Sequence, residues 1–202
     1  MTAVSIRAYH PGDLPSIYRI CHATGWNGQD ASPGLSDPDL IGHSYAGPYV
    51  TLEPNLCFVA QQGPEVVGYI LATANSALFH RNCEAQWFPP LRSRYPMPAS
   101  DDGSLMARFI RALHHGHPPS DMIDLAQYPA SLHINLLPQA QRQGVGSHMM
   151  KHLFATLRNL EVPGVHLYVG RANQNAIKFY ERVGFKCLDE APSTKGYGLI
   201  LS

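Results

Sequence analysis

The sequence carries little charge for its length. Only 15% of its 202 residues are charged, and 15 lysines and arginines balance 15 aspartates and glutamates. A chain without net charge has no bulk electrostatic attraction to nucleic acid or to an anionic membrane, so we expect neither as a partner. Hydrophobic residues make up 45% of the chain, which is typical of a folded domain with a sizeable core.

The sequence also lacks paired cysteines, long apolar runs and a leader pattern. Its four cysteines are scattered without a Cys-x-x-Cys pair: Cys21, Cys57, Cys83 and Cys187. No apolar run is long enough to span a bilayer, and residues 1–13 lack the basic and apolar regions of a signal peptide. These absences predict reduced thiols and a cytoplasmic protein.

No metal site is expected. The histidines between His114 and His117 are the densest cluster of potential ligands. No cysteine or acid completes this cluster at a metal-binding spacing, so the cluster is interpreted as the end of a helix.

The hydrophobic pattern predicts seven strands and several helices. The strands are predicted at residues 4–9, 56–60, 66–74, 131–137, 165–169, 185–188 and 197–201. Helices are expected after Asp13, near Asp37 and after the glycines at 144–146, with a further one that Asn173 caps and Gly184 ends. Residues 24–36 are interpreted as a loop.

Residues 76–130 interrupt this pattern of strands and helices. The stretch contains seven prolines and two predicted helices, at 77–87 and 104–115. We interpret the stretch as an insertion within a single domain that spans residues 1–202. A lid or a wall of the binding site is favoured over a separate domain.

The run from Gln141 to Gly146 follows a predicted strand and precedes the clearest helix. Free amides at a helix start, together with the helix dipole, bind phosphate. Gly144 and Gly146 would let a pyrophosphate approach the backbone, and Arg142 would add a positive charge. The run is neither a dinucleotide fingerprint nor a Walker loop, because the third glycine and a Gly-Lys-Ser/Thr are missing.

Two motifs carry a resemblance to a known family. The pattern P-x-x-Q-x-x-G-x-G at 138–146 resembles the acetyl-CoA motif of the GNAT superfamily of N-acyltransferases. The pattern N-x-x-A-x-x-F-Y-x-x-x-G-F at 173–185 resembles its second signature. Residues 128–138 also resemble the acetyltransferase-like domain of O-GlcNAcases and of its free-standing bacterial relatives.

The resemblance implies an α/β architecture of the GNAT type. Its central sheet is mixed and mostly antiparallel, splayed between strands 4 and 5, and flanked by helices. The helical insertion would precede strand 4. The implied activity is direct transfer of an acetyl group from acetyl-CoA to a small-molecule or peptide amine, and members often form homodimers.

The resemblance also implies roles for individual residues. The backbone N–H of Leu136 would hold the thioester oxygen, and the backbone of Leu136 and Leu137 would pair with the pantetheine arm. Asn173 would contact that arm, and Tyr180 would protonate the sulfur as general acid. The pyrophosphate would be bound by the turn formed by Gln141, Arg142, Gln143, Gly144, Val145, Gly146 and Ser147.

The base and the acceptor site are less defined by the motifs. His133 is the best-placed candidate base, Asp124 and Tyr128 are further candidates, and a water relay is an alternative. Asn135, Tyr128 and Asp124 are predicted to contact the acceptor. In the O-GlcNAcase-like group an acid is expected at the position of Asn135, so a non-catalytic acetyl-CoA-binding or protein-interaction module is the alternative hypothesis. A nucleotide binder unrelated to acyl transfer is a third.

Overall fold

The computed structural model describes residues 3–100, 102–116, 118 and 122–201. The strands in chain order are β1 Val4–Ala8, β2 Cys57–Gln62, β3 Glu65–Thr73, β4 Ala130–Leu136, β5 Gly164–Gly170, β6 Lys186–Glu190 and β7 Thr194–Ile200. The α-helices are α1 Leu14–Thr24, α2 Leu40–Tyr45, α3 Gly47–Leu52, α4 Ser76–Asn82, α5 Phe88–Arg94, α6 Leu105–His115, α7 Val145–Asn159 and α8 Gln174–Val183. Within the described ranges, no helix combines the length and apolar character needed to cross a membrane.

The strands form one sheet in the order β1-β2-β3-β4-β5-β7-β6. All neighbouring pairs are antiparallel except β4 and β5, which run parallel. These two strands pair only where they begin, Ala130 with Val165 and Ser131 with His166, and then separate. The predicted mixed sheet with a splay between strands 4 and 5 is therefore confirmed.

Each face of the sheet is covered by its own hydrophobic core. Under α7 and α8 the core includes Met149, Leu153 and Tyr180. Under α1–α3 the core includes Ile17 and Leu40, and the inserted helices pack into the same cluster. The insertion thus extends the second core and covers the α1 face of the sheet.

The structure refines several sequence predictions. The helix predicted at 77–87 continues through a π-helical turn, Cys83–Trp87, into α5, because Pro89 and Pro90 fall in the first turn of α5, where proline is tolerated. The helix predicted at 104–115 is α6, with Ser104 as its cap. The loop predicted at 24–36 contains a tight turn in which Trp26 and Gln29 form a β-bridge.

Candidate functional site

The turn after β4 presents amides at a helix start. Gly144 has φ +80° and an ideal Cβ there would meet no heavy atom within 4 Å, so the turn opens into free space. The amide of His148 donates to the carbonyl of Gly144 at 3.0 Å. The amides of the three helix residues before His148 therefore lie ahead of the first hydrogen bond of the helix. The helix dipole makes this end of the helix positive.

Gly146 joins the two sequence motifs in space. A Cβ at this position would lie 3.2 Å from the ring of Phe179 on α8 and 3.5 Å from Leu136 on β4. Such spacing requires glycine or some movement of the ring. The start of α7 is thus held directly against α8 and the end of β4.

Strand parity decides which backbone groups face the gap between β4 and β5. The amide of Leu137 donates to the carbonyl of Val67 at 2.8 Å, in register with the β3–β4 ladder. Since backbone groups alternate in direction along a strand, Ile134 and Leu136 point their amides and carbonyls toward the gap. That ladder has no register shift from Ser131 to Leu136.

This parity directs the amide of Leu137 away from the gap. Its amide is used by Val67, and its carbonyl accepts from the amide of Ala140 at 2.9 Å. The amide of Leu137 is therefore not free to donate to a cofactor arm, and its carbonyl does not face the gap. The amide of Leu136 faces the gap, and its carbonyl accepts a hydrogen bond from the side chain of Gln141 at 2.8 Å.

All but one of the remaining turn residues lie at the surface beside this opening. Arg142 adopts a left-handed conformation with φ +57°, and its side chain is exposed. The side chain of Gln143 donates to the carbonyl of Gln139 at 2.5 Å, which ties the turn to the residues just after β4. Val145 is buried in the core, and Ser147 is exposed.

Asn173 and Tyr180 lie on α8. Asn173 caps the helix by accepting from the amide of Ala176 at 3.2 Å. Tyr180 lies two turns further along and is 8% exposed, with its ring against Phe179 and Phe185. Burial raises the pKa of Tyr180 well above its ordinary value, so its hydroxyl holds a proton firmly.

The two faces of β4 differ in character. Leu132, Ile134 and Leu136 belong to the core under α7 and α8. His133 faces α2 and α3, where its ring lies edge-on to Tyr45 and Tyr49 with centroid distances of 5.6 and 5.4 Å. Apolar and polar residues thus alternate along this strand, and His133 and Asn135 both face the α1–α3 side.

Asn135 on the same polar face is bound to α1. Its side-chain nitrogen donates to the hydroxyl oxygen of Thr24 at 2.5 Å. The hydroxyl of Thr24 donates its own hydrogen to the carbonyl of Ile20 at 2.7 Å. The oxygen of Thr24 therefore needs a donor opposite it, which an amide supplies and an ionised carboxylate does not.

The structure does not bring Tyr128 and Asp124 to the glycine turn. Asp124 forms a turn before β4 through the amide of Ala126 at 2.9 Å, and the ring of Tyr128 packs on glycines of β5 and β7. Both residues precede the first residue of β4, whereas Leu136 is the last. That strand length corresponds to roughly 20 Å.

Sequence reasoning missed the tight turn at 26–29. Asn27 contacts Gly170 at the end of β5, and a Cβ at Gly28 would lie 3.3 Å from the amide of Asn173. The turn therefore reaches across the wide end of the gap from the α1 side. The Asn-Gly pair in the sequence could have indicated this turn, because it favours left-handed backbone. No sequence pattern indicated a role for Thr24, Tyr45 or Tyr49.

Comparison with known proteins places this geometry in a family. A model of the acetyltransferase (GNAT) family matches residues 29–185. The protein O-GlcNAcases of Rattus norvegicus and Mus musculus are each 26% identical over 181 residues, which is 89% of this chain and 20% of theirs. The chain thus spans about a fifth of the length of these curated relatives.

Solved structures agree on the fold. The crystal structure of SsHAT superimposes with a TM-score of 0.91 and 34% identity, over 99% of each chain. The PaiA N-acetyltransferase of Thermoplasma acidophilum, solved in complex with coenzyme A, has a TM-score of 0.61 and 15% identity, covering 98% of this chain and 99% of its own. With the family model matching most of its length, this chain belongs to the GNAT acetyltransferase family.

Proposed function

We propose that this chain is an acetyl-CoA-dependent N-acetyltransferase that transfers an acetyl group directly to an amine. The observation that carries the proposal is the gap between β4 and β5. The backbone of Leu136 faces this gap beside a helix start with outward amides. An extended arm in the gap would add a strand to β4 while its phosphates reach the helix start.

The residues around the gap fit the cofactor. The amides from Arg142 to Ser147 would hold the pyrophosphate, and the open space at Gly144 leaves room for it. Asn173 at the start of α8 would contact the arm. Bound acetyl-CoA would supply an acetyl group activated as a thioester. The coenzyme A bound by the Thermoplasma acidophilum neighbour supports this assignment by analogy of fold.

Three groups of the chain would serve the transfer. The N–H of Leu136 would donate to the thioester oxygen as negative charge develops there. His133 would accept the proton that the amine nitrogen loses as it bonds to the carbonyl carbon. As the carbon–sulfur bond breaks, Tyr180 would donate its hydroxyl proton to the departing sulfur. The products are an N-acetylated amine and the free thiol.

The acceptor would approach from the polar face of β4. On the opposite face β4 presents only apolar side chains to the core under α7 and α8, whereas His133 and Asn135 lie on the polar face. A small-molecule or peptide amine is the proposed acceptor class, with Asn135 positioning the neighbouring turn. The hydrogen bonds of Thr24 explain why position 135 holds an amide rather than an acid. The absence of the acid therefore does not favour a non-catalytic module. A homodimer and a cytoplasmic location stay predictions.

The test is release of free thiol from acetyl-CoA with a panel of amines. Tyr180→Phe is expected to lower kcat roughly a hundredfold, the usual contribution of a general acid, while the Kd for acetyl-CoA stays the same. The matched control is Tyr9→Phe, at the far edge of the sheet beside β1. No turnover on any amine despite cofactor binding, or full activity of Tyr180→Phe, would contradict the proposal.

A further inference from the structure

An arginine from the insertion lies on the polar face of the site. Helix α6 brings Phe109 against Tyr45 with a centroid distance of 6.0 Å, and Tyr45 in turn contacts His133 at 5.6 Å. Arg108, the neighbour of Phe109, has an exposed side chain. Two ring contacts therefore link the helix that carries Arg108 to the candidate base.

Arg108 is held by an aromatic ring. Its guanidinium carbon lies 5.2 Å from the ring centroid of Trp26. Trp26 begins the turn that reaches Gly170 and Asn173, and Thr24 just before it binds Asn135. The guanidinium of Arg108 therefore lies beside the segment that crosses the wide end of the gap.

The charge of Arg108 is not neutralised within the described ranges. No salt bridge joins it to a carboxylate there, whereas other arginines pair with acids: Arg7 with Asp13, Arg92 with Glu84, Arg94 with Asp37 and Arg171 with Glu190. Burial raises the pKa of Tyr45 to about 12, and the positive charge of Arg108 acts against this shift. The positive charge of Arg108 therefore acts on Tyr45, on the same side of the site as His133.

A guanidinium held over an indole keeps its N–H groups for other partners. The cation–π contact uses the charge and no hydrogen bond, so the N–H fork can still bind a carboxylate or phosphate through two parallel hydrogen bonds. We propose that Arg108, held by Trp26, binds an anionic group of the acceptor. The acceptor class is then a small amine that also carries an acid group, such as an amino acid. This inference rests on the proposed acetyl transfer.

The experiment compares amines that differ only in the acid. The probes are 4-aminobutyrate against butylamine, and O-phosphoethanolamine against ethanolamine as the phosphate arm. Wild type is expected to prefer the acid-bearing member of a pair in kcat/KM. Arg108→Gln is expected to reduce that preference roughly tenfold to a hundredfold, mostly through KM, the usual loss for a charged hydrogen bond. The amine pair that shows the larger preference identifies whether the site binds a carboxylate or a phosphate.

Two controls make the result specific. Arg158→Gln removes the same charge near the far end of α7 and is expected to leave the preference unchanged. The Kd for acetyl-CoA is expected to stay the same in Arg108→Gln. No preference in wild type, or a preference that survives Arg108→Gln, would overturn the inference. A loss of acetyl-CoA affinity instead would assign Arg108 to a cofactor phosphate and equally overturn it.

Calorimetry separates this inference from the proposed activity. 4-Aminobutyrate and butylamine are titrated into protein saturated with coenzyme A. If turnover is absent but 4-aminobutyrate binds wild type and binds Arg108→Gln at least about tenfold more weakly, the anion site stands and the acetyl transfer fails. The phosphate pair is titrated in the same way, and if neither acid-bearing amine binds better than its acid-free partner, the anion site itself is rejected.

Discussion

At the scale of single residues, Thr24 determines which side chain suits position 135. Its hydroxyl hydrogen goes to Ile20, so its oxygen accepts from the amide nitrogen of Asn135. This bond joins α1 to β4 across more than a hundred residues of sequence, and no local pattern could predict it. The motif alone predicted an acid at this position, and the structure gives the physical reason for the amide.

Asn135→Asp is expected to destabilise the fold. It replaces a donor with an acceptor opposite the Thr24 oxygen, and an unsatisfied buried group costs about 1–3 kcal/mol. The loss in the free energy of unfolding is expected at pH 7 and is expected to shrink at pH 4, where a protonated carboxyl can donate. Urea unfolding at both pH values measures it, with the exposed Asn55→Asp as control. Equal stability of both variants at pH 7 would contradict this account.

At the scale of elements, the glycine turn was predictable and the strand pairing beside it was not. A strand, a Gly-x-Gly turn and an amphipathic helix are local patterns, and they predicted the start of α7. That the amide of Leu136 faces the gap and the amide of Leu137 faces β3 depends on the register with Val67. Register is a long-range property, so the sequence could not distinguish these two neighbours.

Gly144→Ala is expected to weaken acetyl-CoA binding. Both Gly144 and Gly63, in the β2–β3 hairpin, have positive φ (80° and 60°) and open space around an added Cβ. Each alanine variant should lose about 1–2 kcal/mol of stability from left-handed strain. Only Gly144→Ala should also lose affinity, about tenfold, because its Cβ occupies space meant for phosphate.

Calorimetry with acetyl-CoA and urea unfolding of both variants measure these effects. Gly63→Ala is the matched control, since it carries the same backbone strain away from the site. Equal affinity for acetyl-CoA in the two variants would show that the glycine turn is not part of the cofactor site.

At the scale of the whole molecule, two histidines link separate parts of the fold. His43 on α2 contacts the hydroxyl of Tyr18 at 3.0 Å, and burial together with the Arg94 guanidinium lowers its pKa. His166 on β5 contacts the carbonyl of Tyr128 at 2.7 Å, and burial lowers its pKa although backbone carbonyls oppose the shift. Both sites therefore favour neutral histidine in the folded state.

Stability is expected to fall as the pH decreases below about 6.5, the ordinary histidine pKa. The unfolded chain binds protons there before the folded chain does, so the stability present at higher pH is lost as the pH falls through the lowered pKa values. Thermal unfolding between pH 8 and 5 measures it, with Tm falling roughly 2–4 °C for each kcal/mol lost.

His43→Gln should flatten this pH profile, and the exposed His148→Gln on α7 serves as control. A Tm that is independent of pH over this range, or the same profile in wild type and His43→Gln, would contradict the assignment.

The sequence predicted the insertion as a wall or lid, but it could not place α5 and α6 on α2, because those contacts are long-range.

The most direct test of the central claim is a crystal structure of the protein with acetyl-CoA. The pantetheine arm is predicted to lie between β4 and β5, with the pyrophosphate on the amides from Arg142 to Ser147. The thioester oxygen should lie about 3 Å from the amide nitrogen of Leu136. Acetyl-CoA bound outside this gap, or a thioester oxygen that contacts neither Leu136 nor its strand, would contradict the account.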